Sequence, residues 1–264
     1  MSNLNPRVVF VSRETEYAAL LAKHGTRGQA EFFLSTRGQK IDELELRDAL
    51  QSRALAAAKE AVSANWSFVH VVREDLNRFL FRPEDIIVPI GQDGLVANIA
   101  KYLDGQPVIG VSPDLASSEG VLTRHAVDRL PGLLKSAAHA DVDVQSRAMV
   151  QATAGEGLSL LALNELFIGH RSHQSARYVV QANGAEEFQS SSGMIVATGT
   201  GLTGWAKSIM TATHRSFDIA PEDNRAAFFA REPWPSRTSG CQIAAGESVG
   251  TSNYRCCHAS MRAE

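Results

Sequence analysis

The stretch Ile86-Ile87-Val88-Pro89-Ile90-Gly91-Gln92-Asp93-Gly94-Leu95-Val96-Ala97-Asn98-Ile99-Ala100 decides the fold. Its first five residues are β-branched apart from Pro89, with no polar alternation, and read as a strand buried on both faces. Two glycines then bracket a carboxylate, and apolar residues at helical spacing run from Leu95 to Leu103. A strand, a glycine turn and a helix gather backbone N–H groups and the positive helix end around one point, an arrangement that binds phosphate. Glycine suits positions where φ or a close approach bars a side chain. An aspartate in such a cradle opposes a phosphate electrostatically, which leaves it to activate a hydroxyl or hold a metal. The same pattern also describes an ordinary connection between a strand and a helix.

Working outward, Val8–Val11 reads as a first strand, followed by helix-spaced Tyr17, Leu20 and Leu21 until Gly25-Thr26-Arg27-Gly28 breaks the pattern. Ile41 to Val62 suits one surface helix, Phe68–Val72 a second strand and Pro107–Val111 a fourth. Short strands alternating with helices predict a Rossmann-like α/β domain with a parallel sheet over residues 1–112. A connector over residues 113–146 carries a helix with Leu130, Leu133 and Leu134. A β-rich second domain follows over residues 147–247. Its strands are Leu160–Ile168, Ser175–Ala182, Ala185–Gln189 and Met194–Thr198, with Asn183-Gly184 as a hairpin turn. Phe228 onward reads as an edge strand ended by Pro233 and Pro235. Residues 248–264 lack apolar periodicity and are expected to form a disordered tail.

With 264 residues, 44% hydrophobic and 21% charged, the chain has the composition of a soluble globular protein. A net charge of −3 gives no support for nucleic-acid or anionic-membrane partners. No apolar run reaches bilayer length and the N-terminus lacks a signal-peptide core, so a cytoplasmic setting is expected. The three cysteines, Cys241, Cys256 and Cys257, have no C-x-x-C spacing, and no metal site is expected from them or from His258.

Two further segments carry chemistry. Met194–Ala197 runs into Thr198-Gly199-Thr200-Gly201-Leu202-Thr203-Gly204 and then a helix from Trp205, with Thr203 placed as its N-cap. This is either a capped helix after a tight turn or a second nucleotide loop with Trp205 offered for stacking. Asn164-Glu165 interrupts the apolar run Leu160–Ile168, so one of the pair is expected to face a core or a cleft and to need a partner.

In order and approximate separation, these three segments resemble the signatures of the NAD kinase family, within the wider superfamily of diacylglycerol and sphingosine kinases. Gly91-Gln92-Asp93-Gly94 is similar to the family's Gly-Gly-Asp-Gly, Asn164-Glu165 to its Asn-Glu pair, and Ser192 to Trp205 to its D-G-x-x-V-x-T-P-T-G-S-T-A-Y segment. The resemblance covers roughly residues 86–209. It implies phosphorylation of the adenosine ribose 2′-hydroxyl of NAD by ATP with a divalent cation, Mg²⁺. It assigns catalysis to Asp93 and phosphate reception to Gly91 and Gly94. It puts Asn164 and Glu165 on NAD and lines the dinucleotide site with Thr198, Thr203, Trp205 and Ser208. Association into a homo-oligomer is also expected. Gln92, Leu95, Ser112, Ser192, Gly199, Gly204 and Trp205 depart from the family pattern, and the family's closing strands are not evident after Glu247. Two rival readings stand beside it: a kinase of a sugar or lipid hydroxyl, and a non-catalytic NAD- or NADP-binding regulatory protein.

Two other places invite a choice. Arg27, in a loop at a helix start, is either solvated or a phosphate ligand. His170 and His173 are either a surface pair or half of a metal site.

Overall fold

A computed structural model describes residues 6–116, 120–139 and 144–249. The chain divides into two compact units, Met1–Val144 and Gln145–Glu264.

The first unit contains β1 (Arg7–Ser12), α1 (Glu16–His24), α2 (Arg27–Ser35), α3 (Ile41–Glu60), β2 (Ser67–Val72), β3 (Ile86–Pro89), α4 (Asp93–Ala100) and α5 (Leu130–Ala138). The sheet is parallel with order β2-β1-β3, and Val9 lies opposite both Val69 and Ile87. Side chains alternate across it. Val8, Phe10, Ile86 and Val88 pack on Ala54 and Ala58 of α3 and Leu130 and Leu134 of α5. Val9, Val11 and Ile87 pack the other way, on Leu95 and Ile99 of α4. Covering both faces is what an uninterrupted apolar strand requires. The helix expected as a connector is thus α5, and it closes this core. Asp85, fully buried before β3, accepts from Arg7 Nε and Nη2 at 2.8 and 2.6 Å and from the Arg82 N–H at 2.8 Å.

Two expectations change in this unit. Pro107–Val111 runs beside β3 only through isolated bridges, Ile87–Val108 and Ile90–Val111. Ile109 N–H donates to Ile87 O at 2.8 Å and Val111 N–H to Pro89 O at 2.9 Å, but Pro89 has no N–H to return and the ladder lapses there. The helix start read at Gly25–Gly28 is present, but the loop before it shrinks to Gly25 and Thr26. Gly25 (φ +79) ends α1, and the Thr26 hydroxyl accepts from Gln29 N–H to start α2.

The second unit contains β4 (Val150–Thr153), β5 (Ser159–Ala162), β6 (Glu165–Ile168), β7 (Ala176–Ala182), β8 (Ala185–Ser191), β9 (Met194–Thr198), α6 (Trp205–Thr213), β10 (Arg225–Ala230) and β11 (Ala245–Val249). An antiparallel sheet has order β11-β10-β9-β6, beside the hairpins β4-β5 and β7-β8. One face (Leu166, Met194, Val196, Phe228) packs on Tyr178 and Val180 of β7, the other (Ile195, Ala197, Phe229) on Ala206 of α6. Asn183 and Gly184 have φ of 50° and 80°, the pairing a tight hairpin turn needs. A parallel α/β unit followed by antiparallel sheets is the architecture the sequence predicts.

Three local readings are corrected. Leu160–Ile168 is not one strand but two, in different sheets, broken at Leu163-Asn164. β10 is not an edge strand, because β11 pairs with its outer side. Ser248 and Val249, placed in the tail by sequence, are paired in β11, while the rest of that segment, with Cys256, Cys257 and His258, lies outside the described residues. Among the described residues no helix is long and apolar enough to cross a membrane.

Candidate functional site

In the first unit β3 runs into Gly91, whose φ of +155° an L side chain rarely adopts. Gln92 sits at φ −95°, ψ 163°, ordinary extended backbone, so a side chain replaces the family's second glycine without strain. Asp93 is the first residue of α4, and at Gly94 nothing lies within 4 Å of where a Cβ would stand. The Asp93 carboxylate is heavily engaged. Its Oδ2 accepts from Val121 N–H at 2.8 Å. Its Oδ1 accepts from Leu122 N–H at 3.0 Å, Thr123 N–H at 2.8 Å and the Thr123 hydroxyl at 2.9 Å. Burial alone would push its pKa up, but these hydrogen bonds prevail and hold the carboxyl below its usual range. Asp93 is therefore a fixed anion that ties the turn to residues 121–123, and a weak proton acceptor.

In the second unit the break between β5 and β6 creates a different environment. Thr198, at the end of β9, clasps the break: its N–H donates to Asn164 O at 2.9 Å and its hydroxyl to Leu163 O at 2.6 Å. The same hydroxyl accepts from Gly201 N–H at 3.1 Å. A Cβ on Gly201 would stand 2.1 Å from Asn164 O, so only glycine permits this approach. Within this clasp Asn164 Oδ1 and Glu165 Oε2 are buried, and neither has a hydrogen-bond partner among the described residues. Both side chains turn toward Gly204, where a Cβ would lie 3.9 Å from Asn164 Nδ2 and from Glu165 Oε2. Burial raises the Glu165 pKa, and nothing opposes it. Each orphaned acceptor costs about 1–3 kcal/mol. Whatever relieves that cost must donate, and two neighbouring hydroxyls would do so.

The remaining site residues follow along α6. Thr203 is not the N-cap of that helix. Its hydroxyl donates back to Thr200 O at 2.8 Å in a short 3-10 turn, and Gly204 occupies the cap with no side chain to offer. The Trp205 ring lies 5.7 Å from Phe167 at 35°, with the Arg231 guanidinium 5.1 Å over it. Trp205 and Phe167 are 40% and 46% exposed, an aromatic surface beside the orphaned pair. Ser208, one turn on, is exposed and donates to Trp205 O at 2.9 Å.

Sequence reading missed Phe167, Arg231 and the 121–123 segment. Phe167 had a signal: two residues after Glu165, it shares that residue's face of β6. The other two are brought in by distant pairing. Arg27 is spoken for by Glu31, Asp42 and Glu45, so it offers no phosphate ligand. His170 Nδ1 bonds Ser172 of its own turn. Among the described residues no group of three His, Cys, Asp or Glu side chains could hold a metal ion.

No protein-family model matches the chain, and no curated protein matches it in sequence. Among solved structures, yeast NADH kinase complexed with NADH is similar with a TM-score of 0.53 at 10% identity, over 94% of this chain and 74% of that one. An NAD kinase from Archaeoglobus fulgidus in complex with ATP is similar with a TM-score of 0.49 at 17% identity, over 92% of this chain and 80% of that one. At such identities the likeness is one of fold. The chain has an NAD kinase-like fold, a parallel α/β unit followed by an antiparallel β unit.

Proposed function

We propose that the chain is an NAD kinase-like phosphotransferase that moves the γ-phosphoryl group of ATP to the 2′-hydroxyl of the NAD adenosine ribose, giving NADP. The fold likeness supports this reading, and one observation carries it: the orphaned acceptors Asn164 Oδ1 and Glu165 Oε2. A ribose diol presents two adjacent O–H donors, the chemistry this corner lacks. Asn164 and Glu165 hold the ribose, and the Trp205–Phe167 surface takes an attached ring. Thr198 keeps the corner in shape, while Thr203 and Ser208 anchor the chain on either side of Trp205. Gly91 and Gly94 leave the turn's backbone open to phosphate oxygens, and a divalent cation held by the ATP phosphates neutralises their charge. Asp93 accepts the hydroxyl proton after giving up one of its four hydrogen bonds. A depressed pKa is tolerable here because phosphoryl transfer passes through a loose transition state that leans little on a base.

Incubation with ATP, Mg²⁺ and NAD, followed by chromatography, is expected to yield NADP, and Asp93→Asn to remove it while NAD still binds. One observation favours a second reading, dinucleotide binding without transfer: the Asp93 carboxylate already accepts four hydrogen bonds. Calorimetric NAD binding with no NADP formed would overturn the first reading and leave the second.

A further inference from the structure

The helical corner built by α1 and α2 carries an open cleft of about 590 Å³, lined chiefly by Lys23, His24, Gln29, Phe32 and Phe33. No acidic residue lines it. Positive charge gathers around one wall, the Phe33 ring. Lys23 Nζ lies 5.3 Å from its centre, the Arg37 guanidinium 3.7 Å over it, and the His24 ring 4.4 Å away. Among the described residues neither Lys23 nor Arg37 makes an ion pair, whereas Arg27, between them in sequence, is saturated by Glu31, Asp42 and Glu45. The Arg37 guanidinium bonds only neutral acceptors, Phe33 O at 3.0 Å and Thr36 Oγ1 at 3.3 Å. Among the described residues, buried His24 Nε2 has no hydrogen-bond partner. The two cations on this ring, Lys23 and Arg37, lack a counter-ion among the described residues and repel one another, and an anion entering the cleft would relieve that repulsion. Phe32 stands 72% exposed on the wall of the cleft, an aromatic face with no ring contact among the described residues.

We propose that this cleft binds a phosphate-bearing aromatic ligand of mononucleotide size. Lys23 takes the phosphate in the field of Arg37, and Phe32 takes the base by stacking. The proposal does not rest on the kinase reading, because the site is built wholly from α1, α2 and the turn that follows α2.

The test is amide chemical-shift mapping on the full ¹⁵N-labelled chain with AMP, adenosine and inorganic phosphate as separate probes, in the absence of NAD. AMP is expected to give saturable shifts at Gly25, Gly28 and Phe33, with adenosine and phosphate each at least about tenfold weaker. Lys23→Glu with Arg37→Glu is expected to weaken AMP at these amides by more than about tenfold. Should that charge reversal unfold the chain, Lys23→Gln and Phe32→Ala, both at exposed positions, are each expected to weaken AMP severalfold. Shifts that grow linearly with AMP concentration without saturating would overturn the proposal, and so would saturable shifts confined to other residues. Phosphate binding as tightly as AMP would overturn the ligand class. Each readout is local to α1 and α2, so loss of NADP formation leaves the outcome intact.

Discussion

Asp93 and Glu165 are both partly buried carboxylates beside glycine turns, and they are provisioned in opposite ways. Asp93 begins α4 and receives three backbone N–H groups and a hydroxyl from residues 121–123. Glu165 begins β6 and has one oxygen buried with no partner among the described residues. The first carboxylate completes the fold, and its environment favours the charged form. The second is left incomplete by the fold, and its environment disfavours charge. A ligand that donates a hydrogen bond there would relieve this deficit. The first unit therefore presents a preassembled turn and the second an unfilled corner.

The largest effect that would sharpen this contrast is loss of Asp93. Asp93→Ala strands its four donors and is expected to lower stability by about 3 kcal/mol, read by urea denaturation. No measurable loss would mean that the 121–123 segment does not depend on the carboxylate. Next, Gly201→Ala must push the Asn164 carbonyl aside and is expected to cost about 2 kcal/mol. It should also weaken NAD binding by displacing Asn164, so a variant with wild-type affinity would break the link between clasp and corner.

Glu165→Gln has the opposite sign. It removes an uncompensated charge, so the free protein is expected to become more stable near neutral pH while NAD affinity falls about tenfold. A destabilised variant would show that Glu165 has a partner. The pH dependences differ in the same sense. The depressed Asp93 pKa contributes stability that is present above about pH 4 and lost as pH falls through the folded-state value. The raised Glu165 pKa imposes a penalty at neutral pH that disappears as pH falls toward its unfolded value of about 4.3. Denaturation of Glu165→Gln and wild type should therefore diverge as pH rises from 4 to 7, about one carboxylate's titration range. The smallest effect is Trp205→Ala, which loses the contacts to Phe167 and Arg231. It is expected to cost roughly 0.5–1.5 kcal/mol of stability, with a larger proportional loss of NAD affinity. Loss of stability alone would make the ring a packing element only.

Much of this contrast was legible in the sequence. The run Ile86–Ile90 with its glycine turn announced β3 and α4, because a strand buried on both faces carries no polar alternation. Asn183-Gly184 announced the β7–β8 hairpin through its need for positive φ. Asn164-Glu165 stood out as polar residues in an apolar run, although the run proved to be two strands, and that break is what isolates the pair. What was hidden depends on distant partners. The amides of residues 121–123 reach Asp93 across nearly thirty positions, and no local pattern reports that. The second strand partner of β10 is set by β11, whose sequence Ala245-Gly246-Glu247-Ser248-Val249 has little strand character. The start of α2 was read but not its extent, because one glycine-rich stretch both ends α1 and starts the next helix.

The most direct test of the central claim is a crystal structure of the chain with NAD bound. Asn164 Oδ1 and Glu165 Oε2 are expected within about 3.2 Å of the hydroxyls of one ribose. A ribose bound elsewhere, with both acceptors still unpartnered, would contradict the account.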